Sequence, residues 1–473
     1  MKTAMTLLVA LLLGALCAAP ASAASPGRGP VPAPPGLKAT EVSFKGSGGL
    51  TLHGTVLARP EKGAPRPGVV LVTGSGSGVP RDHLLTEAVE FARRGLAVLI
   101  YDKRSEGYTD FHRDYSVLAG DALGGLRALR AQPGVDPGKV GMWGLSEGGW
   151  VVPLAASRSP EVAFAIVVGG NAMPPIRQQN WNEVSDLRRV GVSGSLIDRG
   201  KPALARFAGD AGLFAEAYFD AQDVLERVRQ PLLGVWGGYD LQTPPGDNPP
   251  LFAKALRKGG NTHYTFRFFP DADHAAHRTP DGGITRGPEL APGYADLVGT
   301  WVHDVTSGKL PEADTAAPPH QEHASTEVPP LPWWESLWVH LGAAVLFLVA
   351  FTAYPLVALA RRLRGRRVRP ATRWARLLAG AGFVAAFGPF FYLFYLVAGS
   401  QPDPGPVLGG RPLPWLILQA LAVATVVAAI GTAVEWRRAA AAVARTERVR
   451  LGLLVAAGVV FVPWAVHWGV LMP

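Results

Sequence analysis

The sequence predicts an α/β fold with a mostly parallel central sheet and a helical cap, followed by a C-terminal all-α transmembrane bundle. Three observations carry this reading. Between about 38 and 306, short apolar runs alternate with segments of helical periodicity, the pattern of strands joined by crossover helices. After residue 332 come four apolar runs, near 337–360, 377–399, 413–434 and 451–470. Each is about 20 residues or longer and nearly free of charge, the length a helix needs to cross the hydrocarbon core. Strongly basic loops follow the first and third runs.

The elements justify themselves in order. Residues 1–23 start with Lys2, run through the apolar Leu7–Leu16 and end in Ala21-Ser22-Ala23, which reads as a secretory signal peptide. An uncleaved anchor helix is the competing reading. Cys17 is the chain's one cysteine and raises the question of lipidation, against which stands Leu16 where a small residue is wanted. One cysteine excludes a disulfide framework and a zinc site built on several thiolates. Residues 24–37 read as a disordered tether and 307–332 as a Pro-rich linker.

Within 38–306, residues 40–46 and 50–58 alternate like a hairpin. Apolar runs at 68–73, 96–101, 140–144, 164–168, 231–236 and 263–269 read as buried strands. Residues 82–94, 115–131, 147–157, 247–258 and 291–305 have helical character. The stretch 171–228 reads as a helical cap that contains Trp181 and is rich in arginine, with Arg177, Arg188, Arg189, Arg199 and Arg206 among them. A solvated face explains those arginines better than a clamp for an acidic substrate.

The charge is local. Residues 361–376 hold eight arginines and no acid, and 437–450 hold five arginines and one glutamate. These stretches account for more than the chain's net charge of +9. Lying between apolar runs, they give no support for a nucleic-acid partner. By the positive-inside rule they are cytoplasmic, which puts the segment before the first span outside. Tryptophans cluster at the predicted span ends (Trp333, Trp334, Trp338, Trp415, Trp464 and Trp468 outside, Trp374 and Trp436 inside) as an interfacial belt.

The chemistry centres on Gly144-Leu145-Ser146-Glu147-Gly148, which follows a strand pattern and opens a helix pattern. A serine hydroxyl needs exposure, orientation and a base to act as a nucleophile. A sharp strand-to-helix turn exposes it, and the flanking glycines leave room for that turn. The Glu147 N–H, at the start of the helix, is the expected first oxyanion donor. The glycine-rich loop Thr73-Gly74-Ser75-Gly76-Ser77-Gly78 supplies the second, Ser75 or next to it Gly76. A phosphate-binding loop competes for that segment, but no Gly-Lys-Ser/Thr follows. His274 in Asp271-Ala272-Asp273-His274 is the base, with His277 as alternate. Asp240 in Trp236-Gly237-Gly238-Tyr239-Asp240 orients it; Asp247 is the alternate and a better candidate for capping the next helix. A metal site from Asp271, Asp273, His274 and His277 lacks convergent spacing.

Together, G-L-S-E-G-G, G-G-Y-D-L-Q-T-P, D-A-D-H and Tyr101-Asp102-Lys103-Arg104-Ser105-Glu106-Gly107 make residues 38–306 resemble the α/β-hydrolase superfamily, in its branch of bacterial esterases, dienelactone hydrolases and serine aminopeptidases. The resemblance implies an α/β-hydrolase fold and a Ser-Asp-His triad in that chain order. The chain departs from the pattern at Thr73-Gly74, where His-Gly is common, and at Ser105, where glycine is usual. Arg104 then reads as a structural ion-pair partner. The expected activity is hydrolysis of a carboxylic ester through an acyl-enzyme by a membrane-anchored, extracytoplasmic enzyme. The same triad would serve a peptidase or an envelope acyltransferase, and an inactive ligand-binding head is the non-enzymatic alternative. No cofactor is called for, the partners are a small-molecule or acyl substrate and the bilayer, and protein partners are unknown.

Overall fold

A computed structural model describes residues 30–60, 63–109, 111–365, 372–398, 403–439 and 445–473. The signal peptide assigned to 1–23 and the start of the 24–37 tether lie outside the described residues, as do Arg366, Arg367 and Arg369 of the first basic loop.

Strands β1 (Lys38–Lys45) and β2 (Thr51–Ala58) form the expected hairpin, with Lys38 opposite Ala58. Then come β3 (Arg66–Val72), α1 (Leu85–Arg93), β4 (Ala97–Tyr101), α2 (Tyr115–Arg130), β5 (Val135–Leu145), α3 (Gly148–Arg158) and β6 (Ala165–Val168). After the cap follow β7 (Leu232–Gly237), α7 (Asn248–Lys258), β8 (Tyr264–Phe269) and α8 (Tyr294–Thr306). The sheet order is β1-β2-β4-β3-β5-β6-β7-β8-β9, parallel from β4 onward. This is the mostly parallel α/β-hydrolase sheet that the sequence predicts.

Alternation along the strands explains the two layers. Val70 and Val72 face a core with α2, α3 and α7, through Leu126, Val152 and Phe252. Val69 and Leu71 face the opposite core with α1 and α8, through Phe91 and Val298. The chain reverses its direction of growth between β3 and β5, and the crevice beyond their carboxyl ends is where such sheets bind ligands.

The ninth strand, β9 (Asp314–Thr315), lies inside the segment read as a linker and pairs with β8. Two residues are too few to show a period in the sequence. Farther along, Trp181 Nε1 donates to His323 O at 2.9 Å. Arg177 Nε donates to Ser325 Oγ at 2.9 Å, and Val328 is buried. This stretch therefore runs along the cap instead of hanging free.

The C-terminal helices α9 (Leu337–Leu363), α10 (Arg373–Ala398), α11 (Leu413–Ala439) and α12 (Arg445–His467) are each long and apolar enough to cross a membrane. Large apolar side chains such as Val345, Leu356, Ile430 and Val459 point outward, more than half exposed. Small ones such as Ala379, Ala385, Ala422 and Ala457 fill the interior. That inversion suits a lipid surround.

The cap comprises α4 (Pro175–Arg189), a π-turn at Leu196–Gly200, α5 (Lys201–Asp210) and α6 (Ala221–Leu225). Its residues Val184, Leu187, Leu196, Ile197, Leu204 and Phe207 share one apolar cluster with the four helices. Ser193 N donates to Gly410 O at 2.7 Å and Ser195 N to Pro473 O at 3.1 Å. Trp415 and Trp468, expected in an interfacial belt, are fully buried under this contact, because the cap occupies the surface that headgroups would otherwise cover.

Candidate active site

The turn after β5 places Ser146 at φ 56°, a left-handed conformation that costs a side-chain-bearing residue energy. The glycines around it are sterically required. A Cβ on Gly144 would lie 2.2 Å from Gly148 O, and one on Gly148 2.5 Å from Val72 O. Ser146 is only partly buried, and its N–H donates to Val168 O at 3.0 Å. The turn thus lifts the hydroxyl to the end of β6.

Asp240 follows β7 and is buried. Its carboxylate accepts from Gln242 N at 2.9 Å, Thr243 N at 2.8 Å and Thr243 Oγ1 at 2.6 Å. It also faces His274 Nδ1, at 3.0 Å from Oδ1 and 2.9 Å from Oδ2. With a carboxylate at Nδ1, that nitrogen carries the proton and Nε2 keeps its lone pair. Nε2 is buried and has no hydrogen-bond partner among the described residues. The imidazole lies on Gly169, the residue after β6, where an added Cβ would be 2.5 Å from Cε1. Ser146 bonds to Val168 and His274 rests on Gly169, so both reach the same strand end.

The loop after β3 completes the crevice. A Cβ on Gly74 would lie 3.2 Å from Ser146 Cβ and 3.8 Å from its Oγ. Gly76 N–H donates to Tyr108 Oη at 3.1 Å. Of the two oxyanion candidates that the sequence offers on this loop, Gly76 is the one whose N–H is engaged by a side chain.

Below the loop lies a buried charge cluster that sequence reasoning missed. Glu147 Oε1 accepts from Lys103 Nζ at 2.5 Å, and Oε2 from Tyr108 Oη at 2.8 Å and Arg113 Nη1 at 2.9 Å. Lys103 Nζ also donates to Gly74 O at 2.7 Å. Burial drives the Lys103 ammonium below its ordinary range although Glu147 pulls the other way. Burial and then the Glu147 charge push the Tyr108 phenol up to about 12. The available signal was a glutamate directly after the nucleophile and a lysine inside the Asp102–Gly107 segment, two charges at positions the fold buries.

The alternates go elsewhere. His277 Nε2 bonds to Glu87 Oε1 at 2.9 Å and Nδ1 to Gly287 O at 3.0 Å. Burial lowers its affinity for a proton, but the Glu87 carboxylate outweighs that and the net shift is upward. Asp247 stands at the start of α7 without capping it; its side chain accepts from Ser325 N and Oγ, both at 2.7 Å. Asp273 organises its own turn, accepting from Ala275 N, His277 N and Arg286 Nε. Among the described residues no group of three or more His, Cys, Asp or Glu is placed to hold a metal. Arg104 pairs with Asp121 at 2.5 and 2.7 Å, as its structural reading requires. Of the cap arginines, Arg177 pairs with Glu327, Arg188 with Asp198, Arg189 with Asp186 and Arg206 with Glu335. Arg199 packs beside Gly469.

Residues 85–285 match the prolyl oligopeptidase family, a span that holds Ser146, Asp240 and His274. The chain is 32% identical over 134 residues to polyketide transferase claH of Penicillium crustosum, covering 27% of this chain and 43% of that one. It is 31% identical over 134 residues to thiohydrolase aneE of Aspergillus aculeatus, covering 27% and 41%. The chain thus spans less than half the length of these two curated relatives. Among solved structures, a dienelactone hydrolase from Anabaena variabilis is 22% identical, with 58% of this chain and 100% of that one covered and a TM-score of 0.35.

Proposed function

We propose that this chain, an α/β-hydrolase joined to four apolar C-terminal helices, is a membrane-anchored serine hydrolase that cleaves a carboxylic ester or related acyl bond. The observation that carries the reading is the His274 imidazole, held at Nδ1 by Asp240 with Nε2 unpartnered, on the strand end where strained Ser146 stands. In the mechanism, His274 Nε2 takes the Ser146 proton as Oγ attacks the carbonyl carbon. The tetrahedral oxyanion accepts from the N–H groups of Glu147 and Ser75. Collapse expels the alcohol or thiol, which takes the proton from His274. Water, deprotonated by the same nitrogen, then releases the acid. Each oxyanion donor contributes about 3–4 kcal/mol to lowering the barrier.

A thiohydrolase and a polyketide transferase among the relatives bring a thioester and an acceptor other than water within the scope of the test. The basic loops after α9 and α11 support a catalytic domain outside the cytoplasm.

The full chain in detergent is assayed with short-chain p-nitrophenyl esters and matching thioesters. Ser146→Ala is expected to abolish turnover while melting like the parent. Undiminished turnover in that variant rejects the reading. An added alcohol that diverts most of the product to a new ester marks the enzyme as a transferase.

A further inference from the structure

We infer that Lys103 is a positioning residue for the oxyanion hole: by holding the Gly74 carbonyl it fixes the Gly74–Ser75 peptide so that the Ser75 N–H faces the reacting carbonyl. The inference rests on the serine-hydrolase reading and adds a residue to it.

A trans peptide is planar, and its C=O and N–H point in opposite directions. The described peptides of this chain are all trans. Lys103 Nζ, below the loop, draws Gly74 O to 2.7 Å, a bond strengthened by the ammonium charge. The N–H of the same peptide belongs to Ser75 and therefore points away from the lysine. Gly74 itself stands against Ser146, near enough for an added Cβ to touch it at 3.2 Å. The next peptide is held the other way. Gly76 N–H is turned into Tyr108 Oη at 3.1 Å, and Gly76 takes φ 129°, which a side chain would resist. Two opposed grips, one on a carbonyl and one on an amide, leave the Ser75 N–H as the donor presented.

Both grips are anchored on one carboxylate. Glu147 holds Lys103 and Tyr108, and Glu147 also carries the N–H assigned as the first donor. The two halves of the hole, on loops from different strands, are thereby tied together through a single buried side chain.

A merely structural lysine would serve only to neutralise Glu147, and a pair of variants separates the two roles. Lys103→Met removes the grip and leaves Glu147 paired with Arg113 alone. The double variant Lys103→Met/Glu147→Gln removes the grip and the carboxylate together and leaves Arg113 as the remaining charge of the cluster. The measurements, on the full chain in detergent, are kcat and KM for a p-nitrophenyl ester, the rate of Ser146 phosphonylation by a fluorophosphonate, and the melting temperature. The double variant, in which Arg113 has lost its carboxylate, is expected to fold but to melt below the parent. Its kcat and phosphonylation rate fall by about a hundredfold, with KM near the parent value. Recovery of kcat in the double variant overturns the inference. Should the double variant fail to fold, Tyr108→Phe keeps every charge and releases the Gly76 grip together with the hydroxyl's bonds to Glu147 and Arg113. It is expected to lower kcat by about tenfold, a fraction of a whole donor's effect, at unchanged KM, and unchanged kcat overturns the inference. Loss of this inference with Ser146→Ala still inactive leaves the hydrolase reading intact; full activity of Ser146→Ala removes both.

Discussion

A glycine sets where the base sits. Gly169 takes φ 54°, and a Cβ there would lie 2.5 Å from His274 Cε1 and 2.6 Å from Nδ1. Gly169→Ala is therefore expected to push the ring off Asp240. A displacement of about 1 Å lowers kcat by roughly a hundredfold, seen in steady-state kinetics as a kcat loss without a matching loss of folded protein. In the proposed mechanism Asp240 has the complementary task of fixing the tautomer. Asp240→Asn, which offers an amide where Nδ1–H needs an acceptor, is expected to cost roughly 10⁴-fold in kcat; a loss under tenfold would remove Asp240 from its role. The positions of Ser146, Asp240 and His274 at one sheet edge are legible in the sequence because each follows a strand pattern in a recognisable turn. Gly169, Lys103 and Tyr108 are not. Their roles depend on which atoms meet across the sheet edge, and nothing in local spacing records that.

At the scale of elements, the loop that carries His274 is pinned from behind. His277 ties it to Glu87 on α1, and both side chains are almost wholly buried. The His277 proton affinity is raised in the folded state, so its contribution to stability is complete below the unfolded value of about 6.5. It is lost as pH rises through the higher folded value. His277→Gln is expected to destabilise the hydrolase domain by roughly 3–5 kcal/mol at acidic pH, the cost of breaking a buried pair. Melting curves should show the difference from the parent narrowing above about pH 6.5; a difference that widens with pH contradicts the assignment. The sequence offers His277 as an alternate base, and composition alone cannot tell a pinning histidine from a catalytic one. Glu87 lies 190 residues away in the chain, so the pair becomes visible only in the fold. The strands and helices themselves were legible because period 2 and period 3.6 differ sharply over whole elements. The two-residue β9 carries no such signal.

For the whole molecule, the cap joins two bodies that the sequence separates by a linker. On one side, α4 reaches the loop that follows Asp240: Gln178 Nε2 donates to Gln242 O, and Asn182 Nδ2 to Leu241 O at 2.8 Å. On the other, Val184 and Leu187 of the same helix pack with the four apolar helices. A chain ending at residue 332 would expose that apolar face, with Leu196, Ile197, Leu204 and Phe207. It is expected to self-associate in size-exclusion chromatography and to turn over esters less well than the full chain. A monodisperse, fully active fragment would show that the helices only anchor.

The central claim is that Ser146 is a nucleophile activated by His274. Its most direct measurement is peptide mapping of the full chain by mass spectrometry after reaction with a fluorophosphonate. A single adduct on Ser146 is expected, absent in Ser146→Ala and formed far more slowly in His274→Ala. An adduct on another residue, or labelling of Ser146 at the parent rate without His274, would contradict the account.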